Sequence, residues 1–271
     1  MAFEVMTLHI QDAFSDEARV QPVLNVIARH EPDVAVFAEA WREGDDRLIE
    51  SIGDMFTVHG YAVVSGLYDD DDGRRDRHGM MGIVRNRILT DRRPCMIRLG
   101  TRSGVYMPFA DPATGVTCDI FGVHFDDRSE VRRLDQVDAL LDGHVAQDRP
   151  TVVAGKYNAM HRADTMARAL RIARPVVQRL PVAEPQPGVR PSIVKRFGSL
   201  AARSADMASG TVMQRFTAAD FIDADPDHRP TKGPFNLDRI VYRGLSKAVS
   251  QPGIPLFKDQ RTASARLFFQ E

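Results

Sequence analysis

The run VAVFA at Val34–Ala38 is apolar at every position, and TVVA at Thr151–Ala154 is β-branched or small throughout. A β-strand turns successive side chains to opposite faces, so runs of this kind need cover on both sides. Neither stretch can line a sheet that has one face in water. Each must sit inside a layered molecule, with helices or a second sheet over each face. The rest of the chain has to supply those layers.

It does so by alternation. Phe3–Ile10 is short, apolar and bounded by polar residues, as a strand would be. Glu17–His30 places Val20, Val23, Leu24, Ile27 and Ala28 at helical spacing, and Pro32-Asp33 ends it. A short helix over Arg47–Met55 leads to strands at Tyr61–Ser65, Met80–Arg85, Cys95–Leu99, Gly104–Pro108 and Cys118–His124. The spacing then predicts a helix over Ser129–Val145, capped by Ser129. Beyond Thr151–Ala154, Met160–Leu180 reads as mostly helical with a break at Pro175. A Pro-rich connector, LPVAEPQPGVRPS, leads to further helix around Ile193–Ala218. Strands at Phe221–Ala224, Leu237–Tyr242 and Ala263–Phe269 close the chain. Strands and helices interleave throughout and no internal repeat stands out, which predicts one α/β domain over residues 1–271.

Composition excludes several function classes. With 271 residues, 43% hydrophobic and 27% charged, the chain can bury a substantial core and stay in solution. A net charge of −1 gives no global attraction to nucleic acid or anionic membrane, so nucleic acid is not an expected partner. The nine Lys/Arg residues between Arg162 and Arg203, against Asp164 and Glu184, read as a solvated helix pair, with an anion-attracting rim as the alternative. No apolar run approaches the roughly 20 residues of a membrane span. The start, MAFEVMTLHIQD, lacks the basic and long apolar segments of a secretory signal, so a cytoplasmic protein is expected. Cys95 and Cys118 have no motif spacing and read as free thiols. The loop GLYDDDDGRRDRHG carries four successive aspartates, without the alternating ligands and distal Glu of a calcium loop. His30, His59, His78, His144 and His161 are scattered and read as surface residues.

The polar residues at the ends of the buried strands are a different matter. His9, Glu39, His124, Lys156 with Asn158, Asp238, and Asp259 with Gln260 all fall at such tips, where α/β folds gather their chemistry. Their contexts are similar to the ordered motifs of the endonuclease/exonuclease/phosphatase superfamily, the fold of DNase I. TLHIQ resembles that family's T-x-N-I-Q, and PDVAVFAEAW its P-D-x-x-x-x-Q-E-x. FGVHF followed by Arg133 and Gln136 is similar to N-T-H-L and R-x-x-Q, and VVAGKYNAM to V-x-x-G-D-F-N-A. FIDA with HRPT at 228–231, LDRIVY, and FKDQRTASARL resemble the segments that follow, the last being similar to S-D-H-R-P-V-x-A-x-L. The resemblance implies a four-layer α/β sandwich, two mixed β-sheets face to face with helices outside. It also implies hydrolysis of a phosphoester by an activated water, with Mg²⁺ held by the residue at Glu39 and a His–Asp pair assisting.

The departures from that pattern fall on the chemistry. The family's Asp of G-D-x-N, which positions or deprotonates the water, is Lys156 here, and an ammonium neither accepts that proton nor binds Mg²⁺. The family's terminal His is Gln260, which does not titrate, and the first-strand Asn is His9. General acid–base groups contribute roughly 10²–10⁴ in rate each, so these changes should abolish the family reaction. Glu39, His124, Asn158, Asp238 and Asp259 keep the family's residue types.

Three readings follow. In the first, the pocket is a metal-independent catalytic site for a small molecule, an anionic one among the candidates. His9–Glu39 is then the base, Lys156 replaces the metal's charge, and His124, Asn158 and Asp238 complete the site, with Trp41, Tyr106, Asp259 and Gln260 lining it. In the second, the pocket binds an anionic ligand or a protein without catalysis. The third is a residual Mg²⁺-dependent phosphodiesterase, the one case in which a metal is expected, at Glu39.

Overall fold

The computed structural model describes residues 2–67, 78–90, 92–127, 129–159, 210–225, 227, 237–251, 254–257 and 260–269. The expected helix at 160–180, the Pro-rich connector, the basic stretch, the aspartate loop, HRPT and Asp259 lie outside these residues, as does most of the helix expected at 193–218.

The strands form two six-stranded sheets. The first joins β1 (Ala2–His9), β2 (Val34–Ala38), β3 (Tyr61–Leu67), β4 (Gly79–Arg85), β11 (Leu245–Gln251) and β14 (Ala263–Phe269) in the order β11-β14-β1-β2-β4-β3. The second joins β5 (Cys95–Leu99), β6 (Arg102–Ala110), β7 (Thr117–His124), β8 (Thr151–Lys156), β9 (Ile222–Asp223) and β10 (Asp238–Arg243) in the order β5-β6-β7-β8-β10-β9. Both are mixed, with a parallel pair near the middle: β1 beside β2, and β7 beside β8. A short ribbon pairs β12 (Pro255–Phe257) with β13 (Gln260–Arg261).

The doubly apolar runs fulfil their constraint. All five residues of β2 and all six of β8 are buried. Val34 and Val36 face the other sheet, packing with Val152, Ala154, Val105 and Met107 in one inter-sheet core. Ala35 and Phe37 face outward, under α1 (Glu17–His30) and α2 (Asp46–Val58). On the far side, Val153 joins Val137, Leu140 and Phe216 beneath α3 (Glu130–Gly143) and α4 (Thr211–Ala218). The result is the expected helix–sheet–sheet–helix sandwich. At Gly122 the sheets approach so closely that a Cβ would lie 2.9 Å from the Val36 side chain of the opposite sheet, as well as 2.4 Å from its own cross-strand neighbour Val105.

Helix ends follow their sequence signals. Asp16 caps α1 by accepting from the Ala18 amide at 3.0 Å, and Ser129 accepts from Arg132 at 3.4 Å at the start of α3. Cys95 and Cys118 are free, the first exposed and the second buried. Among the described residues, no helix is long and apolar enough to cross a membrane.

Candidate functional site

Strand parity carries the polar tips to one place. In β7, Cys118 and Ile120 point into the inter-sheet core, and the same alternation sends His124 inward at the strand's end. In β8, Val152 and Ala154 point inward, and Lys156 follows. In β10, Ile240 and Tyr242 do so, and Asp238 shares their face. Lys156 is in register with His124 on one side and Asp238 on the other. From the opposite sheet, Phe3 and Val5 of β1 point inward and His9 ends the same row, next to Ala38 and so to Glu39. The polar cluster therefore caps one open end of the apolar core between the sheets.

Contacts within the cluster are close. Lys156 Nζ donates to Glu39 Oε1 at 2.8 Å, and His9 Nε2 meets Glu39 Oε2 at 2.6 Å. Lys156 Nζ also lies 3.0 Å from His9 Nε2, and His124 Nε2 lies 3.5 Å from Glu39 Oε1. Burial opposes ionisation of Glu39, but Lys156, His9 and His124 outweigh it and hold the carboxyl well below the usual carboxylate range. An ionised carboxylate only accepts, so the 2.6 Å contact requires its proton on His9 Nε2. That nitrogen then has no lone pair for Lys156, and their 3.0 Å contact is an approach of two donors anchored on one carboxylate. Burial and Lys156 push His9 below the ordinary imidazole range. Burial, Arg102 and Lys156 push His124 well below it. Both rings are thus neutral near pH 7.

Local backbone geometry serves this arrangement. Gly155 has φ 144°, and a Cβ there would lie 2.0 Å from the Val123 carbonyl oxygen, so β8 can close on β7 only with glycine before Lys156. Gln11, Asp12, Glu39 and Asn158 are four of the six non-glycine residues with positive φ among the described residues, and all lie in the tip loops. Asn158 donates to the Phe125 carbonyl at 2.7 Å and fixes the turn after His124. Arg133 and Gln136 hold the same turn from α3, Arg133 donating to the Asp126 carbonyl at 3.0 Å and Gln136 accepting from its amide at 2.8 Å. The R-x-x-Q signal in the sequence is therefore positioning machinery for the β7 tip.

His9, Glu39, His124, Lys156, Asn158 and Asp238 come together. Tyr106 does not: Val105, Met107 and Phe109 alternate inward, so Tyr106 faces the helix side, where its hydroxyl bonds Asp119 at 2.7 Å. Trp41 is buried in the outer core, its ring directly under Gly79. Gln260 lies in β13. Sequence reasoning missed the Asp12–His78 pair, joined at 2.7 Å beside this cluster. No spacing signal links residues so far apart.

A divalent cation at Glu39 does not fit these residues. Both carboxylate oxygens are engaged, one by an ammonium that can only donate. Among the described residues, no group of three or more His, Cys, Asp or Glu side chains is arranged to hold a metal ion.

Comparison with known proteins agrees with the architecture. The sequence matches the Endonuclease/Exonuclease/phosphatase family over residues 13–264. The structure is similar to the human Nocturnin catalytic domain with bound sulfate anion, at TM-score 0.64 and 13% identity, over 99% of this chain and 95% of that one. It is also similar to an endonuclease/exonuclease/phosphatase from Bacteroides vulgatus, at TM-score 0.62 and 13% identity over all of both chains. A truncated Caenorhabditis elegans TDP2 aligns at TM-score 0.54 and 12% identity, over 99% of this chain and 98% of that one. No curated protein matches in sequence.

Proposed function

Because the chain belongs to the endonuclease/exonuclease/phosphatase family, we propose that it keeps the family's strand-tip site but uses it without a divalent cation, to bind a small molecule rather than to hydrolyse a phosphoester through bound magnesium. One observation carries this reading: Lys156 Nζ stands 2.8 Å from Glu39 Oε1, where its charge does a cation's work from within the chain. A metal ion about 4 Å from that ammonium would meet several kcal/mol of repulsion at an effective dielectric near 20. Burial also favours binding over catalysis. His9 is only 3% exposed and its Nε2 is committed to Glu39, so it presents no open base.

The test is calorimetric titration of Mg²⁺ and Mn²⁺ into the protein and into Lys156→Asp, paired with hydrolysis of bis-p-nitrophenyl phosphate. The expected result is no saturable heat and no metal-dependent turnover by the unmodified protein. Tight Mg²⁺ binding, or turnover abolished by EDTA, would overturn the proposal.

A second reading, metal-independent catalysis with His9 as base, is favoured by the 2.6 Å His9–Glu39 bond to a neutral imidazole. EDTA-resistant turnover of a small molecule that disappears in His9→Gln would establish it over binding alone.

A further inference from the structure

Beside the same cluster stands a second histidine–carboxylate pair. After β1 the chain turns through Gln11 and Asp12, both at positive φ. The turn is pinned by Arg19 of α1, which donates to the Gln11 and Ile10 carbonyls at 2.7 and 3.1 Å. The Asp12 amide donates to the Glu39 carbonyl at 2.6 Å, tying this turn to the site. Asp12 then uses its two oxygens separately. Oδ1 accepts from His78 Nδ1 at 2.7 Å, and Oδ2 accepts from Arg42 Nε at 2.9 Å. His78 and Arg42 also face one another across an antiparallel bridge. One carboxylate thus orients two cationic heads from different loops.

This pair is the inverse of His9–Glu39. His9 is buried and its bonded nitrogen is crowded by Lys156, whereas the His78 side chain is 26% exposed. With Nδ1–H committed to Asp12, the tautomer is fixed, and Nε2 has no hydrogen-bond partner among the described residues. Among the described residues, the charges acting on it are Asp12, Arg42 and, farther off, Glu39, which Lys156 neutralises. The hydrogen bond to Asp12 raises the basicity of His78, against burial and Arg42. A protonated His78 then stands beside Arg42 as a second cation on the same carboxylate, with its Nε2–H uncommitted among the described residues.

We infer that His78, positioned by Asp12 and flanked by Arg42, is the contact for an oxyanion, the carboxylate or phosphate group of the small molecule the site binds. This rests on the small-molecule reading of the strand-tip site. It does not depend on whether magnesium binds there. A merely structural role would have the pair clamp two loops and leave Nε2 to water.

The experiment follows the imidazole ¹H–¹³C resonances of the unmodified protein during titration with sulfate and, separately, malonate, at constant ionic strength with EDTA present. Sulfate stays a dianion across the range, so any pH dependence belongs to the protein. The expected result is a saturable shift of the His78 resonances with one or both anions, and no matching shift of His30 or His59. A response to sulfate alone assigns a phosphate-like group, and a response to malonate alone assigns a carboxylate. Affinity should fall about tenfold per pH unit once His78 deprotonates, since only the protonated ring donates from Nε2. Asp12→Asn should weaken binding about tenfold or more, and His78→Gln, which lacks the reporter ring and is followed by calorimetry with the same anions, should abolish it. Linear, equal drifts of all histidines with both anions would overturn the inference, as would unchanged affinity in Asp12→Asn with its fold intact. Repeating the titration with Mg²⁺ separates the two proposals. Magnesium binding with the His78 shift intact refutes only the metal-free reading, and loss of the shift alone refutes only this one.

Discussion

Lys156→Met tests the centre of the site most directly. Methionine keeps the length and apolar stem of lysine and removes the charge. The Glu39 carboxylate, its side chain 21% exposed, would lose the 2.8 Å ammonium contact while keeping His9 at 2.6 Å. Removing one partner of a buried pair costs about 3–5 kcal/mol, because the remaining charge is left uncompensated. The surviving His9 bond and the partial exposure place this case near about 3 kcal/mol. For a chain of this size that corresponds to a fall in Tm of about 6–12 °C. The pH dependence supplies a second check. Glu39 is held below its ordinary range, so its contribution is present above about pH 4.5 and lost as pH falls through the depressed folded value. Without Lys156, one of the groups that outweighs burial is gone, so the Glu39 pKa rises and protonating the stranded carboxyl relieves the penalty. The gap between variant and parent should therefore narrow between pH 7.5 and pH 5. Thermal and urea unfolding at both pH values measures it, and Lys156→Met/Glu39→Gln should recover most of the loss. A single variant within about 2 °C of the parent at pH 7.5 would refute the reasoning, since ΔTm would then fall below the size of one ordinary hydrogen bond. A double variant no better than the sum of the singles would do the same.

Three further outcomes are expected. Gly155→Ala should prevent soluble folding or lower Tm steeply, because its Cβ would lie 2.0 Å from the Val123 oxygen at a φ of 144°; recovery from expression and Tm report this. Stability should be fully present above about pH 6.5 and decline below it, towards the lowered folded values of His9 and His124, by about 1.4 kcal/mol per pH unit per histidine. His124→Gln should flatten that slope in a stability–pH series, and an unchanged slope would count against a neutral buried ring. Asn158→Ala should cost about 1–3 kcal/mol in urea unfolding, from the lost 2.7 Å bond to Phe125 and the strain of alanine at φ 49°.

Much of the architecture is legible in residue order alone. Glu17–His30, Val34–Ala38, Cys95–Leu99 and Ala263–Phe269 form the elements that their periodicity predicts, with the same ends. The alternation that sends Tyr106 away from the cluster was also present, in Val105, Met107 and Phe109 on either side of it. Placing Tyr106 in the lining of the site ignores that parity. The strands at Leu245–Gln251, Pro255–Phe257 and Gln260–Arg261 were not anticipated. LSKAVSQ has few apolar residues and sits at a sheet edge, where pairing with β14 holds it and, of its described side chains, only Leu245 and Ala248 reach the core.

What residue order determined here is which side chains end the buried strands, since strand length and apolar pattern fix where each run meets water. That includes Lys156 at the tip of β8, in a motif that resembles the family's G-D-x-N. Only the tertiary structure decided which tips meet. His9 and Lys156 lie 147 positions apart, and Asp12 and His78 lie 66 apart. Their contacts depend on two sheets stacking through a shared apolar core, whose close packing at Gly122 sets the distance across which the charged ends pair. Side-chain burial along each strand is a local property written in its period. The partner of a buried charge is a property of the packed whole.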